Sequence, residues 1–231
     1  MIPQVKVPTF SMTLPVSKEV VEFRPFLVKE EKLLLLAKDS KNVADVNRAI
    51  VDTVYSCTFE KMKAENYSLA DLQYAFLHIR GKSIGEEMEL QLICGSCKGK
   101  TLVDLSVNDF DVINQKPTNK IVMNDVTISL KMPNIYHYTK LLVENDNDIE
   151  TTFEVIAECI DTIYSDEEVF HNTPEVKQDV MEFLNNLPSD QFEKLQDFFA
   201  AMPLLYKEIK FTCKECSTEN EIRIDSVSSF F

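Results

Sequence analysis

The sequence predicts an α+β protein made of two duplicated units, each with a β-hairpin, about three helices and a cysteine-bearing hairpin. Three observations support this fold class. Short alternating runs, typical of strands, lead into Cys-x-x-Cys at Cys94–Cys97 and again at Cys213–Cys216. The stretches between these motifs repeat apolar residues at helical spacing. Several segments of the second half also resemble segments of the first half, in the same order.

The two Cys-x-x-Cys motifs predict a zinc site. A strand, a Cys-x-x-Cys turn and a second strand form a zinc knuckle, which supplies two of the four ligands of a structural zinc ion. Two knuckles complete the set, so we predict one tetrahedral site made of Cys94, Cys97, Cys213 and Cys216. Common zinc ribbons place about 15–20 residues between their knuckles. More than a hundred residues separate Cys97 from Cys213, so this site would clamp the end of the chain to its middle.

Two other interpretations of the motifs stay open. They could be pairs of reduced thiols in tight turns, or thioredoxin-like redox motifs. A redox motif opens a helix in a βαβ unit, whereas both motifs here lie between predicted strands. The remaining cysteines, Cys57 and Cys159, fall on apolar helix faces and are predicted to be small core residues.

The charge of the chain narrows the classes of function. The 231 residues carry a formal net charge of −14, and 45% of them are hydrophobic, which is enough for a substantial core. Sequence-independent nucleic-acid binding needs a basic face, and anionic membranes repel an acidic protein. No apolar run approaches the length of a membrane span, the first residues do not resemble a signal peptide, and the cysteines suit a reducing cytosol.

The first half is predicted to contain a hairpin and three helices. Alternating runs at 9–14 and 19–23 predict the hairpin, and residues 28–38 predict the first helix, with acids early and a lysine late. The apolar faces of the next two helices are Val43, Val46, Ile50 and Val54, and then Leu69, Leu72, Phe76 and Ile79. Ser68 to Asp71 resembles a capping box, and Gly81 is predicted to be the C-cap of the third helix.

The second half is predicted to repeat this plan. Residues 126–130 predict a strand, and Ser189 opens a late helix. A helical stripe between them comprises Ile149, Phe153, Ile156, Ile160 and Ile163. Within it, residues 161–165 resemble 52–56 of the second helix.

These matches predict an internal duplication. The first unit would span 1–113 and the second 114–231, with a helical insertion near 166–187. Each unit would donate one knuckle, so that the metal site joins both units into one compact domain.

No catalytic constellation is visible in the sequence. The histidines at 78, 137 and 171 lie in no H-E-x-x-H motif. His78 is predicted to be a hydrogen-bonded structural histidine, and His137 or His171 could replace a cysteine as a zinc ligand. Gly81-Lys82-Ser83 lacks the earlier glycine and the preceding strand of a phosphate-binding loop. A zinc ion held by four cysteines has no open position for a substrate. The sequence therefore predicts a protein without enzymatic activity.

Two stretches of the first half resemble a known family. Residues 23–37 (FRPFLVKEEKLLLLA) and 71–86 (DLQYAFLHIRGKSIGE) are similar to the baseplate hub and hub-assembly proteins of T-even-like contractile-tailed bacteriophages. The resemblance covers about the first 110 residues. It implies a role in building the baseplate hub, with other hub or tail proteins as partners and no catalytic residues. It implies localisation in the cytoplasm of the infected host cell, or in the virion baseplate.

The resemblance favours an assembly factor, or chaperone, over a permanent hub subunit. A zinc-ribbon regulator that binds nucleic acid and a thiol oxidoreductase are the alternatives from other classes. The charged residues of the resembling stretches are expected to form either a solvated face or a docking surface; they are Arg24, Lys29, Glu30, Glu31 and Arg80. The leucine run at 33–36 is predicted to lie in the core.

Overall fold

The computed structural model describes residues 5–113, 118–143, 149–165 and 167–224. Helices and antiparallel strands are mixed, which confirms the predicted α+β class. In chain order the elements are β1 (Phe10–Thr13), β2 (Val20–Phe23), α1 (Val28–Ser40), α2 (Val43–Cys57), α3 (Leu69–Ile84), β3 (Glu87–Ile93), β4 (Lys100–Ser106), β5 (Asp111–Ile113), β6 (Lys120–Met123), β7 (Val126–Leu130), α4 (Ile135–Val143), α5 (Ile149–Cys159), β8 (Ile160–Ser165), β9 (Val169–His171), α6 (Lys177–Asn185), α7 (Ser189–Ala200), β10 (Leu204–Thr212) and β11 (Glu219–Ile224).

The chain forms two compact units. Unit 1 combines Met1–Ile113 with Leu204–Phe231, and unit 2 is Asn114–Pro203. The first boundary falls after Ile113, and the second knuckle hairpin belongs to unit 1 together with the first. The predicted repeats at 1–113 and 114–231 describe a duplication of the sequence and are not the same as these compact units. That duplication stays a prediction.

Unit 1 packs three helices with short hairpins. The β1–β2 and β3–β4 hairpins are antiparallel, and β10 pairs with β11 on one side and with β5 on the other. Alternation along β3 buries Met88, Leu90 and Leu92, as its sequence pattern predicts. The largest fully buried side chains of unit 1 are Leu14, Phe23, Ile50, Met62, Leu72, Phe76, Leu77 and Ile79.

Helix α1 departs from the prediction, because its leucine run is mostly outside the core. Leu34 is buried, but Leu33, Leu35 and Leu36 are 37%, 57% and 59% exposed. Four consecutive residues cover every side of a helix, since each residue turns the chain by about 100°. Only the stripe through Glu30, Leu34 and Ala37 faces the unit. The prediction that residues 33–36 are core is therefore wrong for three of them.

Glu30 is buried and Arg24 is largely buried beside it, so the expectation that they form a solvated face or a docking surface is wrong. Their side chains are 12% and 4% exposed, and the Arg24 guanidinium donates to Glu30 Oε1 at 2.8 Å. Ser56 Oγ donates to the same carboxylate at 2.7 Å, and the Leu27 N–H donates to it at 2.9 Å. Burial alone would raise the pKa of Glu30, but these hydrogen bonds and the arginine charge lower it to about 2. Of the other residues expected at such a surface, Lys29 and Glu31 are exposed and Arg80 is half-buried.

Helix α3 begins where predicted and ends later. Ser68 Oγ accepts a hydrogen bond from the Asp71 N–H, as an N-cap does. The Asp71 carboxylate does not complete a capping box; it accepts hydrogen bonds from the N–H groups of Val16 and Ser17 instead. The prediction of a C-cap at Gly81 is wrong. Gly85 caps the helix with φ +120°, and Gly81 lies inside it, where an added Cβ would approach Val107 at 3.1 Å.

Unit 2 is an antiparallel sheet covered by helices. The strand order is β6-β7-β8-β9, and α4 to α7 belong to the same unit. Its core lies between the sheet and helices α5, α6 and α7, and includes Ile128, Leu130, Ile156, Ile160, Val180, Leu184, Leu195 and Phe198. The predicted strand at 126–130 and the predicted helix in the 166–187 region are present, the latter as α6.

The predicted helical stripe from 149 to 163 breaks at Cys159. Residues 160–165 form β8, which pairs with β7, and Asn172 Nδ2 donates to the C=O groups of Ala157 and Ile160 at the junction. The segment Ile160-Asp-Thr-Ile-Tyr-Ser is rich in β-branched and aromatic residues, which fit a strand as well as a helix. The matched segments 52–56 and 161–165 are therefore helix and strand, so that alignment is wrong.

Substitution of Glu30 by Ala should lower the free energy of unfolding by about 1.5–3 kcal/mol, because it removes the charged hydrogen-bond partner of the largely buried Arg24 guanidinium. Urea denaturation of the full chain measures this difference. The exposed neighbour Glu31 is the matched control, since its replacement by Ala should change stability by no more than about 0.5 kcal/mol. Equal effects at both positions would show that the ion pair is unimportant.

The same pair should also make stability depend on pH. The pKa of Glu30 is lowered in the folded chain, so its contribution is complete above the unfolded value of about 4.5 and is lost as pH falls towards about 2. The stability difference between the wild type and Glu30→Ala should therefore shrink between pH 5 and pH 2.5. A difference that stays constant over this range would contradict the assignment.

Candidate metal centre

The two knuckle turns have the same backbone geometry. In the first, the Cys94 N–H donates to the Gly99 C=O at 2.9 Å and the Lys98 N–H donates to the Cys94 C=O at 3.1 Å. In the second, the bonds between Cys213 and Thr218 and between Ser217 and Cys213 repeat this pattern, each at 2.9 Å. Lys98 and Ser217 both adopt a left-handed conformation, with φ of 62° and 57°. Each turn thus places its two thiols on one side of its hairpin.

The structure brings all four predicted ligand residues together. Their Sγ atoms lie within 4.8 Å of one another, and the nearest pairs given are Cys94 with Cys216 at 3.7 Å and Cys97 with Cys213 at 3.6 Å. All four cysteines are free thiols. Among the described residues, they are the one group of metal-ligating side chains that could hold a metal ion.

Two residues that sequence analysis missed connect the knuckles. Asn220 Oδ1, in the second hairpin, accepts a hydrogen bond from the Gly95 N–H at 3.0 Å. Thr101 Oγ1, in the first hairpin, accepts one from the Lys214 N–H at 3.3 Å. Asn220 Nδ2 also donates to Cys94 Sγ at 3.5 Å. The signal was available in the sequence, because both residues lie four positions after the second cysteine of their own motif.

These contacts relate the two hairpins by an approximate two-fold exchange. Gly95 and Lys214 hold equivalent positions in the two hairpins, 119 residues apart, and so do Thr101 and Asn220. Exchanging the hairpins therefore converts one hydrogen bond into the other. The same offset exchanges the two short Sγ–Sγ contacts. Each hairpin therefore supports the other in the same way.

The environment of the thiols favours charge on some sulfurs over others. The backbone N–H groups of Cys97 and Ser96 lower the pKa of Cys94 to about 6, with help from Asn220 and Cys216. The Gly99 N–H lowers the pKa of Cys97, but the thiols of Cys216, Cys213 and Cys94 together with burial raise it to about 12. Four sulfurs this close cannot all ionise by themselves, and a bound cation would supply the missing positive charge.

Gly99 lies close to the other knuckle. An added Cβ on Gly99 would lie 2.6 Å from Glu215 Cδ of the other knuckle and 3.0 Å from Cys97 Sγ. A larger residue would have to displace Glu215 and press on a ligand sulfur.

The other candidate ligands have different environments. His78 packs on the Tyr74 ring at 4.2 Å, His137 Nδ1 accepts the Asn134 N–H, and His171 lies 3.3 Å from Thr162 Oγ1. Cys57 and Cys159 are buried, and burial raises the pKa of each to about 12. They are core residues, as the sequence predicts.

Replacing Asn220 by Ala should weaken metal binding at the four-cysteine cluster by about 10- to 100-fold, because it removes hydrogen bonds that orient the ligand turns. Titration against a chromogenic chelator measures this affinity. Asn186→Ala is the control, since Asn186 is an exposed residue of unit 2 whose side chain donates to the Glu182 C=O. Equal affinities of the two variants would contradict a role for Asn220.

In the described residues, no helix is long and apolar enough to cross a membrane. Comparison with curated proteins and with solved structures finds no match. Residues 7–231 match a protein-family profile described as T4 bacteriophage base plate protein. This match covers both units and both knuckles, and so extends beyond the stretches that resemble the family by eye. The chain therefore belongs to the T4 bacteriophage base plate protein family.

Proposed function

We propose that this chain is a non-enzymatic assembly factor for the phage baseplate hub, which acts by protein–protein contacts and is stabilised by a structural zinc ion. The observation that carries the proposal is membership of a baseplate family along residues 7–231. Such a family associates the chain with the phage particle and with other baseplate or tail proteins. The site of action would be the cytoplasm of the infected host cell, where tails are built.

The geometry of the four thiols supports zinc. A tetrahedral ion with zinc–sulfur distances of about 2.3 Å needs sulfur atoms about 3.8 Å apart. The contacts of 3.7 and 3.6 Å are close to this value, and neither forms a disulfide. Four thiolates form a closed coordination shell, which supports a structural ion and no catalytic one.

The reciprocal hydrogen bonds at the knuckles support a duplication of the cysteine hairpin. A second resemblance lies where each β-hairpin meets its helices. The Arg24 N–H donates to the C=O of Cys57, the last residue of α2, and the Lys131 N–H donates to the C=O of Cys159, the last residue of α5. We infer from both that the two halves share an ancestor.

The exposed apolar residues of α1 support a role in protein binding. Val28, Leu35 and Leu36 are 78%, 57% and 59% exposed on one helix. Val28 and Leu35 are seven positions apart and so share one side of the helix, where they offer apolar surface to a partner protein. The acidic total charge favours basic surfaces on the partner proteins.

A nucleic-acid-binding zinc ribbon fits the hairpins less well. Residues 87–106 and 204–224 together carry six basic and seven acidic residues, so they offer no excess of positive charge to a phosphate backbone. A thiol oxidoreductase is disfavoured because each Cys-x-x-Cys turn lies between strands and faces the other pair.

Purified chain should contain about one zinc per molecule, and Cys213→Ser should lose the metal and lower stability, because structural zinc binding is coupled to folding. Elemental analysis after reducing purification, followed by thermal unfolding, measures both effects. Cys159→Ala removes a buried thiol outside the cluster and should keep the metal. Protein without zinc under these conditions would end the zinc proposal.

An assembly factor and a permanent subunit differ in whether the chain is present in finished tails. An assembly factor should be abundant in hub intermediates and absent, or nearly so, from finished tails. Quantitative mass spectrometry of both fractions, normalised to a structural tail protein, tests this. A fixed copy number in finished tails would make the chain a structural hub subunit, and specific, salt-sensitive DNA binding would overturn the whole proposal.

A further inference from the structure

Unit 2 contains an apolar groove between two helices. The groove has a volume of about 420 Å³ and is lined along α5 and α7, with Leu141 of α4 at one side. Ile149, Phe153 and Ile156 recur at the i, i+4 and i+7 positions of α5. Phe192 and Phe199 recur at the i and i+7 positions of α7. Two apolar stripes on neighbouring helices with a groove between them offer a site of the kind that binds a third helix.

The groove combines exposed apolar residues with a stacked aromatic pair. Ile149 is 73% exposed and Leu141 is 41% exposed, so both present apolar surface to solvent. The half-buried Phe153 and Phe192 rings, one from each helix, stack with centroids 4.9 Å apart and planes 12° apart. Burial of this exposed surface would favour binding, and the stacked rings limit the rearrangement that binding would need.

Charge identifies the kind of helix that fits. Unit 2 has 17 Asp and Glu residues against six Lys and no Arg, a net charge of −11, whereas unit 1 accounts for the remaining −3. On α7, Glu193 and Asp197 are exposed and directly follow groove-lining residues in the sequence. Because each residue turns a helix by about 100°, both acids lie at the solvent side of the groove. Two lysines near these helices are already engaged: Lys140 pairs with Glu154 and Glu158, and Lys194 donates to the Val122 C=O.

We propose that this groove binds a basic amphipathic α-helix of another baseplate protein. The apolar face of that helix would cover Ile149 and the two phenylalanine rings, and its Lys or Arg residues would lie beside the acidic rim. The inference rests on the proposed function in one respect, which is that the helix comes from another baseplate protein. The contact itself depends on the groove and its rim, so it can be tested apart from assembly.

The probe is a fluorescent 18-residue synthetic helix of Leu and Lys with apolar residues at i, i+3, i+4 and i+7. Its controls are a scrambled peptide of the same composition and a peptide with Glu in place of Lys. Fluorescence anisotropy with the full-length chain should show that the patterned basic peptide binds at least tenfold more tightly than either control.

The variants separate apolar contact from simple charge attraction. Ile149→Glu adds a negative charge, so it would strengthen binding that is only electrostatic, but the proposal predicts at least tenfold weaker binding. Glu193→Lys should also weaken binding and reduce its salt dependence. Val122→Glu and Glu182→Lys change exposed residues that do not line the groove and should alter the affinity by less than twofold.

Three outcomes would overturn the proposal: equal binding of the scrambled peptide, no weakening by Ile149→Glu, or no binding by a chain that circular dichroism shows to be folded. Sedimentation of the free chain adds a fourth. A dimer that Ile149→Glu dissociates would assign the groove to a second copy of this chain. The presence of the chain in finished tails would change the proposed function and leave this proposal standing.

Discussion

The pairing of the two knuckle hairpins is the constraint on which the rest of the structure depends. Cys97 and Cys213 are 116 positions apart in sequence, yet their sulfurs lie 3.6 Å apart. Together with the pairing of β10 with β5, this contact joins both ends of the described chain into unit 1 and leaves unit 2 as the segment between them. Closing a loop of this length costs conformational entropy that grows only slowly with its length. A metal bound to all four thiols would repay that cost in the folded state alone, because the unfolded chain has no preformed site.

The division into units also separates stabilising features from charge. Unit 1 holds the cysteine cluster and the buried Arg24–Glu30 pair, and is close to neutral. Unit 2 holds most of the negative charge and the apolar groove. Charge far from zero destabilises a compact unit but steers association with partners of opposite charge. Both units nevertheless expose apolar surface, on α1 in unit 1 and at the groove in unit 2, and only the surface of unit 2 lies in a strongly acidic surrounding.

The sequence predicted the features that depend on local pattern. Alternation located β3 and the hairpins, Ser68 located the start of α3, and the two Cys-x-x-Cys motifs located the metal candidate. The errors arose where tertiary contacts decide between patterns that the chain fits equally well. Residues 160–165 satisfy both helical and strand periodicity, and pairing with β7 selects the strand. Arg24 and Glu30 looked like surface charges because no local pattern shows that Ser56, 26 residues further on, completes their network.

If the chain arose by duplication, the second half must contain an insertion, and the distances between equivalent cysteines show where it lies. From Cys57 to Cys94 the chain advances 37 positions, whereas from Cys159 to Cys213 it advances 54. The second half therefore has 17 extra residues between the end of its second helix and its knuckle. β8 and β9 begin directly after Cys159 and extend to His171, which accounts for most of them. If the halves share an ancestor, the extra residues therefore begin at β8, earlier than the helical insertion near 166–187 that the sequence predicts. In the structure, β8 and β9 extend the β6–β7 hairpin into a four-stranded sheet, which packs against α5 and α7 in the core of unit 2.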